Sequence, residues 1–160
     1  MVRRQNSPAI LAITFGGHDT SAALMIDGEL IAACAQERYT LDKHSRKFPI
    51  DAIGDCLAIG GIDISAVTHL AFCDDTHHLI RERYLRPALK DHERIGFLLN
   101  DIDQVREVYT IEERICRETG FVGEIGQYRH HLCHLASAYY PSGYDEALLV
   151  SYDGMGEWET

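Results

Sequence analysis

The chain has 160 residues, 46% apolar and 25% charged, with 25 Asp+Glu against 15 Lys+Arg and a formal charge of −10. This composition fits one ordinary globular domain or a piece of a larger one, and excludes long disorder, collagen and coiled-coil arrays. No apolar run approaches the roughly 20 residues that cross a bilayer, and an acidic surface disfavours broad binding to phosphate backbones.

Arg3 and Arg4 precede an apolar stretch, Ala9 to Phe15, that is too short for an export signal and runs into Gly16-Gly17. A buried strand over 8–15 is the better reading. Residues 16–20 (GGHDT) form a turn. Segments 21–26 and 29–35 are apolar and are joined by Asp27-Gly28, a hairpin signal because both turn positions need positive φ. The first 35 residues therefore read as three consecutive antiparallel strands.

Pro49 suits a first helical position, Ile50, Ile53 and Leu57 recur at helical spacing, and Gly60-Gly61 stops the run. Val67 to Cys73 is a second buried strand. His77 to Leu85 is helical until Arg86-Pro87, with Asp75 or Thr76 as its cap. Residues 103–119 carry Val105, Val108, Tyr109, Ile115 and Cys116 on one face and read as one amphipathic helix. Residues 124–129 form a strand, His131 to Tyr140 a helix ended by Pro141, and Glu146 to Tyr152 a final strand entering Asp153-Gly154. The order β-β-β-α-β-α-α-β-α-β predicts an α/β fold, a mixed sheet with flanking helices. By analogy of pattern, this is the half-unit expected of the ribonuclease H-like or actin-like class.

PAILAITFGGHDTSA near one end echoes DEALLVSYDGMGEWET near the other, each an apolar strand running into a Gly-containing acidic turn. The echo fits a duplicated fold whose second half has only begun. A stable domain rarely ends on half a hairpin, so the expectation is an amino-terminal portion of something longer. The five cysteines (Cys34, Cys56, Cys73, Cys116, Cys133) are scattered and odd in number, which predicts reduced thiols in a cytoplasmic protein.

Three constellations could carry chemistry. In Arg129-His130-His131-Leu132-Cys133-His134, a helix places His130 and His134 on one face, near enough to share one metal ion, and His131 off it. Asp153, at a turn after a buried strand, is placed as a carboxylate pointing into a cleft. Two His and a carboxylate suit Fe(II), Zn or Mn. The bland alternative is a helix with solvent-exposed histidines; Cys133 reads as core. In Gly16-Gly17-His18-Asp19-Thr20-Ser21, the glycines allow close backbone approach and turn amides can hold an anion. His18 could act as general base or oxyanion stabiliser, or the segment is simply a polar hairpin tip. Gln36-Glu37-Arg38 with Lys43-His44-Ser45-Arg46-Lys47 is the dense basic stretch of an acidic chain, suited to a phosphate or carbamoyl phosphate, or else solvated surface. Asp74-Asp75 with His77-His78 imitates a metal site but reads as a helix start. Arg81, Glu82, Arg83, Lys90 and Asp91 read as solvated helix faces.

The stretches ILAITFGGHDTSAALMIDGELIAACAQERYT, KHSRKFP and HHLCHLASAYYPSGYDEALLVSYDGMGEWET resemble the O-carbamoyltransferases of nodulation-factor and antibiotic biosynthesis, the NodU/CmcH family. The resemblance implies an amino-terminal actin-like domain similar to the tRNA threonylcarbamoyl transferases and a carboxy-terminal YrdC-type domain. The latter makes carbamoyl-adenylate from carbamoyl phosphate and ATP, and the former passes the carbamoyl group to an acceptor hydroxyl. It further implies His130, His134 and Asp153 as metal ligands, Fe being the first expectation with Zn or Mn as alternatives. His18 becomes the catalytic loop histidine, and Gly17, Asp19, Lys43, Gly154 and Gly156 become substrate or nucleotide contacts.

On this reading residues 1–144 are the first half of the actin-like domain and 145–160 the start of its second half, with the YrdC-like domain outside the chain. The expected partners are a small-molecule hydroxyl acceptor and the missing carboxy-terminal half with its YrdC-like domain, and a homodimer is compatible with the open final strand. No membrane and no nucleic acid are expected, and the fragment alone is expected to be inactive. The competing readings are a tRNA threonylcarbamoyl transferase relative and a non-catalytic metal- or nucleotide-binding module that pairs with another chain through that strand.

Overall fold

The computed structural model describes residues 8–17 and 19–154. The described residues form a mixed α/β structure around a five-stranded sheet of order β3-β2-β1-β4-β5. β1 (Ala9–Thr14), β2 (Ser21–Ile26) and β3 (Glu29–Ala35) are the expected meander, antiparallel throughout, with Leu11 opposite Leu24 and Ala23 opposite Ala33. Asp27 (φ 55°) and Gly28 (φ 81°) make the tight turn that their sequence required. A bulge between Leu24 and Met25 shifts the β2–β3 register by one residue. β4 (His69–Phe72) lies parallel to β1, Leu70 beside Leu11, and β5 (Ile125–Gln127) completes the sheet.

The chain divides into two compact units. Among the described residues, the first comprises 8–17, 19–72 and 113–126, the second 73–112 and 127–154. In the first unit, Leu11, Ile13, Leu24, Leu70 and Phe72 are buried on the sheet. Each such side chain contributes about 1.5–3 kcal/mol relative to exposure. α1 (Glu37–Thr40) is a single turn. α2 (Ile50–Gly60) packs on β2 and β3 through buried Ala52, Ile53 and Cys56. Gly60 sits so close to Leu24 Cδ2 that a β-carbon there would collide with it, and Gly61 (φ 62°) ends the helix. Phe15, Phe48 and Phe72 form an aromatic cluster, with ring centroids 4.7 Å and 5.1 Å apart, under the Arg114 guanidinium.

Between β4 and β5 the chain departs from expectation in three places. The helix beginning at α3 (Thr76–Ile80) does not stop at Arg86-Pro87. It widens into a π turn over Arg81–Leu85 and resumes as α4 (Arg86–Lys90). Proline cannot donate to the preceding turn and its ring crowds it; the wider turn just before it relieves both problems. α5 (Ile95–Asn100), which has no clear sequence signal, precedes the expected 103–119 helix, and that helix is two: α6 (Ile102–Tyr109) and α7 (Ile111–Thr119). Thr110 leaves helical geometry (φ −97°, ψ 19°), and its hydroxyl donates to the Arg106 carbonyl at 3.0 Å, a local bond that competes with helix continuation.

α8 (His130–Tyr139) runs into a tight turn over Tyr140–Ser142 that contains Pro141 and closes at Gly143 (φ 73°). The expected final strand over 146–152 is not a strand among the described residues. Leu148, Val150 and Tyr152 are exposed, and a strand is defined by a partner that this segment lacks here. No helix of the described residues is long and apolar enough to cross a membrane, and the five cysteines form no disulfide.

Candidate metal centre

Arg129 (φ −57°, ψ 132°) turns the chain into α8, so His130 is its first residue and His134 stands one turn on, on the same face. Their Nε2 atoms are 3.0 Å apart and the rings are nearly perpendicular, at 89°. Asp153 comes from the other end of the segment. Its Oδ2 lies 2.9 Å from His130 Nε2 and 3.1 Å from His134 Nε2. The other oxygen, Oδ1, accepts the Gly154 amide at 2.6 Å, which fixes the carboxylate's rotation. The hydrogen bond from His130, followed by that from Gly154, holds the Asp153 carboxyl below the usual carboxylate range. His130 and Asp153 are about one-third exposed and His134 about half, so the trio is open to solute.

This donor set fits a divalent ion. Bonds of about 2.1 Å set at right angles place ligand atoms about 3.0 Å apart, and the three atoms here are separated by 2.9, 3.0 and 3.1 Å. His131 is not part of the trio. Cys133, expected in the core, is only half-buried, with Sγ 4.0 Å from the Tyr128 carbonyl. A residue that sequence reasoning left aside lies beside the trio. Asp74, after β4, has Oδ1 3.7 Å from His130 Nδ1. Its placement after an apolar strand is the same signal that made Asp153 conspicuous.

An open cavity of about 470 Å³ adjoins the trio, lined by His134 and Asp153 together with Leu135, Ala138, Leu148 and Val150.

In the first unit, the GGHDT loop and the basic loop are fastened together. Asp19 Oδ1 meets His44 Nδ1 at 2.9 Å, and the Thr20 hydroxyl donates to the Ser45 carbonyl at 3.3 Å. Asp19 (φ 64°) and His44 (φ 59°) both hold the left-handed backbone that non-glycine residues rarely adopt. Gly17 has open space where a β-carbon would stand, and Lys43 is exposed next to the paired His44. The basic stretch is thus partly structural, since Gln36, Ser45 and Phe48 are buried while Lys43, Arg46 and Lys47 face solvent. His18 and Gly156 lie outside the described residues. The His77-His78 segment is the expected helix start, with Asp75 Oδ1 accepting the His78 amide at 2.9 Å. Glu82, expected to be simply solvated, is ion-paired to Arg86 at 2.6 Å and to Arg81 at 2.9 Å.

The family described as the carbamoyltransferase N-terminus matches residues 9–160. The chain belongs to this carbamoyltransferase family. It is 32% identical over 160 residues to the uncharacterized protein sll1178 of Synechocystis, covering 94% of this chain and 26% of that protein. It is 29% identical over 141 residues to the nodulation protein NolNO of Sinorhizobium fredii, covering 88% of this chain and 20% of that protein. A shorter match, 46% over 41 residues, is to the uncharacterized protein MJ1058 of Methanocaldococcus jannaschii. The chain thus spans about a quarter or less of the length of these relatives.

Proposed function

We propose that the chain is the amino-terminal part of an ATP-dependent O-carbamoyltransferase. The whole enzyme would move a carbamoyl group from carbamoyl phosphate, by way of carbamoyl-adenylate, to a hydroxyl of a small-molecule, sugar or antibiotic acceptor. The sheet would be half of a ribonuclease H-like (actin-like) fold, and the adenylate would be made by a YrdC-like domain of the longer protein, in the cytoplasm. The observation that carries the reading is the convergence of His130, His134 and Asp153, from positions up to 23 residues apart, in a member of the carbamoyltransferase family.

In the proposed transfer, the acceptor oxygen bonds the carbamoyl carbon, the bond from that carbon to the adenylate phosphate oxygen breaks, and AMP departs. The hydroxyl proton passes to a base, the role assigned to His18. His130, His134 and Asp153 would hold a divalent ion, Fe(II) first, with Zn or Mn as alternatives. Such an ion supplies Lewis acidity toward a carbonyl or phosphoryl oxygen.

Gly17, Asp19 and Lys43 would contact substrate from the fastened loops, and Gly154 and Gly156 from the turn after Asp153. The Asp19–His44 and Thr20–Ser45 contacts support this assignment, because they keep the exposed Lys43 beside the glycine loop. There its charge would offset that of a phosphate.

The test is metal content and affinity of the purified chain against a His130→Ala, His134→Ala double variant. The expected result is one Fe(II) or Zn(II) per chain, lost in the variant. Equal metal content in the two proteins would refute the assignment of these ligands.

A further inference from the structure

We infer that Asp74 is a positioning residue for His130, setting which ring nitrogen is offered to the metal. The inference rests on the metal reading above. His130 stands between two carboxylates. Its Nε2 faces Asp153 at 2.9 Å and its Nδ1 faces Asp74 at 3.7 Å. A ligating imidazole binds metal through one nitrogen and carries its proton on the other, and that proton is ordinarily held by a carboxylate or carbonyl, which fixes tautomer and ring orientation. With a metal on Nε2, Nδ1 would be the nitrogen that carries the proton, and Asp74 is the carboxylate that faces it. The two side chains are about equally shielded, at 30% and 31% exposure, so the interaction is weakened by water less than an ordinary surface pair.

Asp74 is also held in place. It stands two residues after the end of β4 and directly precedes Asp75, whose side chain caps α3 by accepting the His78 amide. That cap anchors the backbone next to the carboxylate that reaches His130. At Nε2 the two histidines are alike, each facing the other and Asp153; they differ at Nδ1, where His130 meets Asp74. The Asp74 contact distinguishes the two histidines, and the effect of losing it should be confined to His130.

The experiment is a Co(II) titration of the chain and of Asp74→Glu, Asp74→Asn and Asp74→Ala, followed by the cobalt absorption bands, with circular dichroism to confirm the fold. The isosteric Asp74→Asn variant keeps an acceptor and loses the charge, so it guards against a trivial folding defect. The expected order of affinity is wild type, Glu, Asn, Ala, with Ala weakened about 10- to 100-fold. In the Zn(II)-loaded chain, the His130 Nδ1 proton resonance should move in Asp74→Asn while the ring signals of His134 stay in place. Affinities within twofold of wild type for both Asn and Ala, with binding still abolished by His130→Ala, would overturn the role of Asp74 and leave the metal reading standing. A wild-type chain that binds Co(II) no better than His130→Ala would overturn both.

Discussion

Truncating Gln36 should destabilise the first unit by about 2–4 kcal/mol. Pro49 occupies the N-cap of α2 and offers no side-chain acceptor, so the first turn needs a partner from elsewhere. Gln36, just after β3 and 1% exposed, supplies it. Its Oε1 accepts the Ala52 amide at 3.1 Å, and its Nε2 donates to Asp51 Oδ2 at 2.6 Å. Its own amide donates to the Thr20 carbonyl at 2.9 Å, which ties α2 to the glycine loop.

In Gln36→Ala the Ala52 amide, fully buried, has no acceptor, a cost of about 1–3 kcal/mol; losing the bond to the Asp51 carboxylate adds about 1 kcal/mol, since that group is exposed and recovers water. Gln36→Glu keeps the acceptor but sets a second carboxylate against Asp51. It should be as damaging as Ala at neutral pH and should recover near pH ~4, where one proton can bridge the pair. Urea unfolding followed by circular dichroism gives the global loss, and hydrogen exchange at Ala52 gives the local one. A loss below 1 kcal/mol for Gln36→Ala with Ala52 still protected would refute the capping argument.

Two further outcomes are expected. The Glu82 carboxyl is held below its ordinary range, chiefly by the hydrogen bond from Arg86 and then by that from Arg81. Its contribution to the α3–α4 helix is therefore complete above the ordinary Glu pKa and is lost as pH falls through the depressed one. Thermal unfolding of Glu82→Gln and wild type should converge in acid and separate toward neutrality; a gap that persists unchanged in acid would argue against the ion pair. Cys56 is fully buried, and burial first, then the neighbouring Cys34, pushes its thiol up to about 12. It should resist iodoacetamide at pH ~8 in the folded chain and react on unfolding, whereas early modification, mapped by mass spectrometry, would show that the helix–sheet core opens readily.

The elements legible in the sequence are those whose signals are local. Asp27-Gly28 sets the first hairpin, Gly61 stops α2, and the apolar runs over 8–15 and 21–26 form β1 and β2, with Leu11 and Leu24 inside. The His130–His134 pair is legible for the same reason, because helical spacing alone brings the rings together. Asp153 needed a turn argument and a family resemblance, since its approach to the pair is a tertiary event. Asp74 reaches His130 from 56 positions away in the chain, a separation that no period describes, so nothing local announces it. The errors also have physical causes. Apolar content over 146–152 indicates a segment that can pair, and pairing requires a neighbour. The break at Thr110 depends on one hydroxyl choosing the Arg106 carbonyl, and the passage through Pro87 depends on a wider turn before it.

That wider turn has a consequence for chain length. An α-helix advances about 100° per residue, so an extra residue ordinarily rotates everything after it away from its partners. A π turn absorbs one residue as a loop of larger circumference, and the faces before and after it stay in phase. Ile80, before the turn, and Tyr84, within it, are both buried, and the Tyr84 hydroxyl still reaches Asp101 at 2.9 Å. Arg81–Leu85 is therefore the stretch of this helix where related chains can differ by a single residue, returning to plain α-helix without turning α4 to a new side.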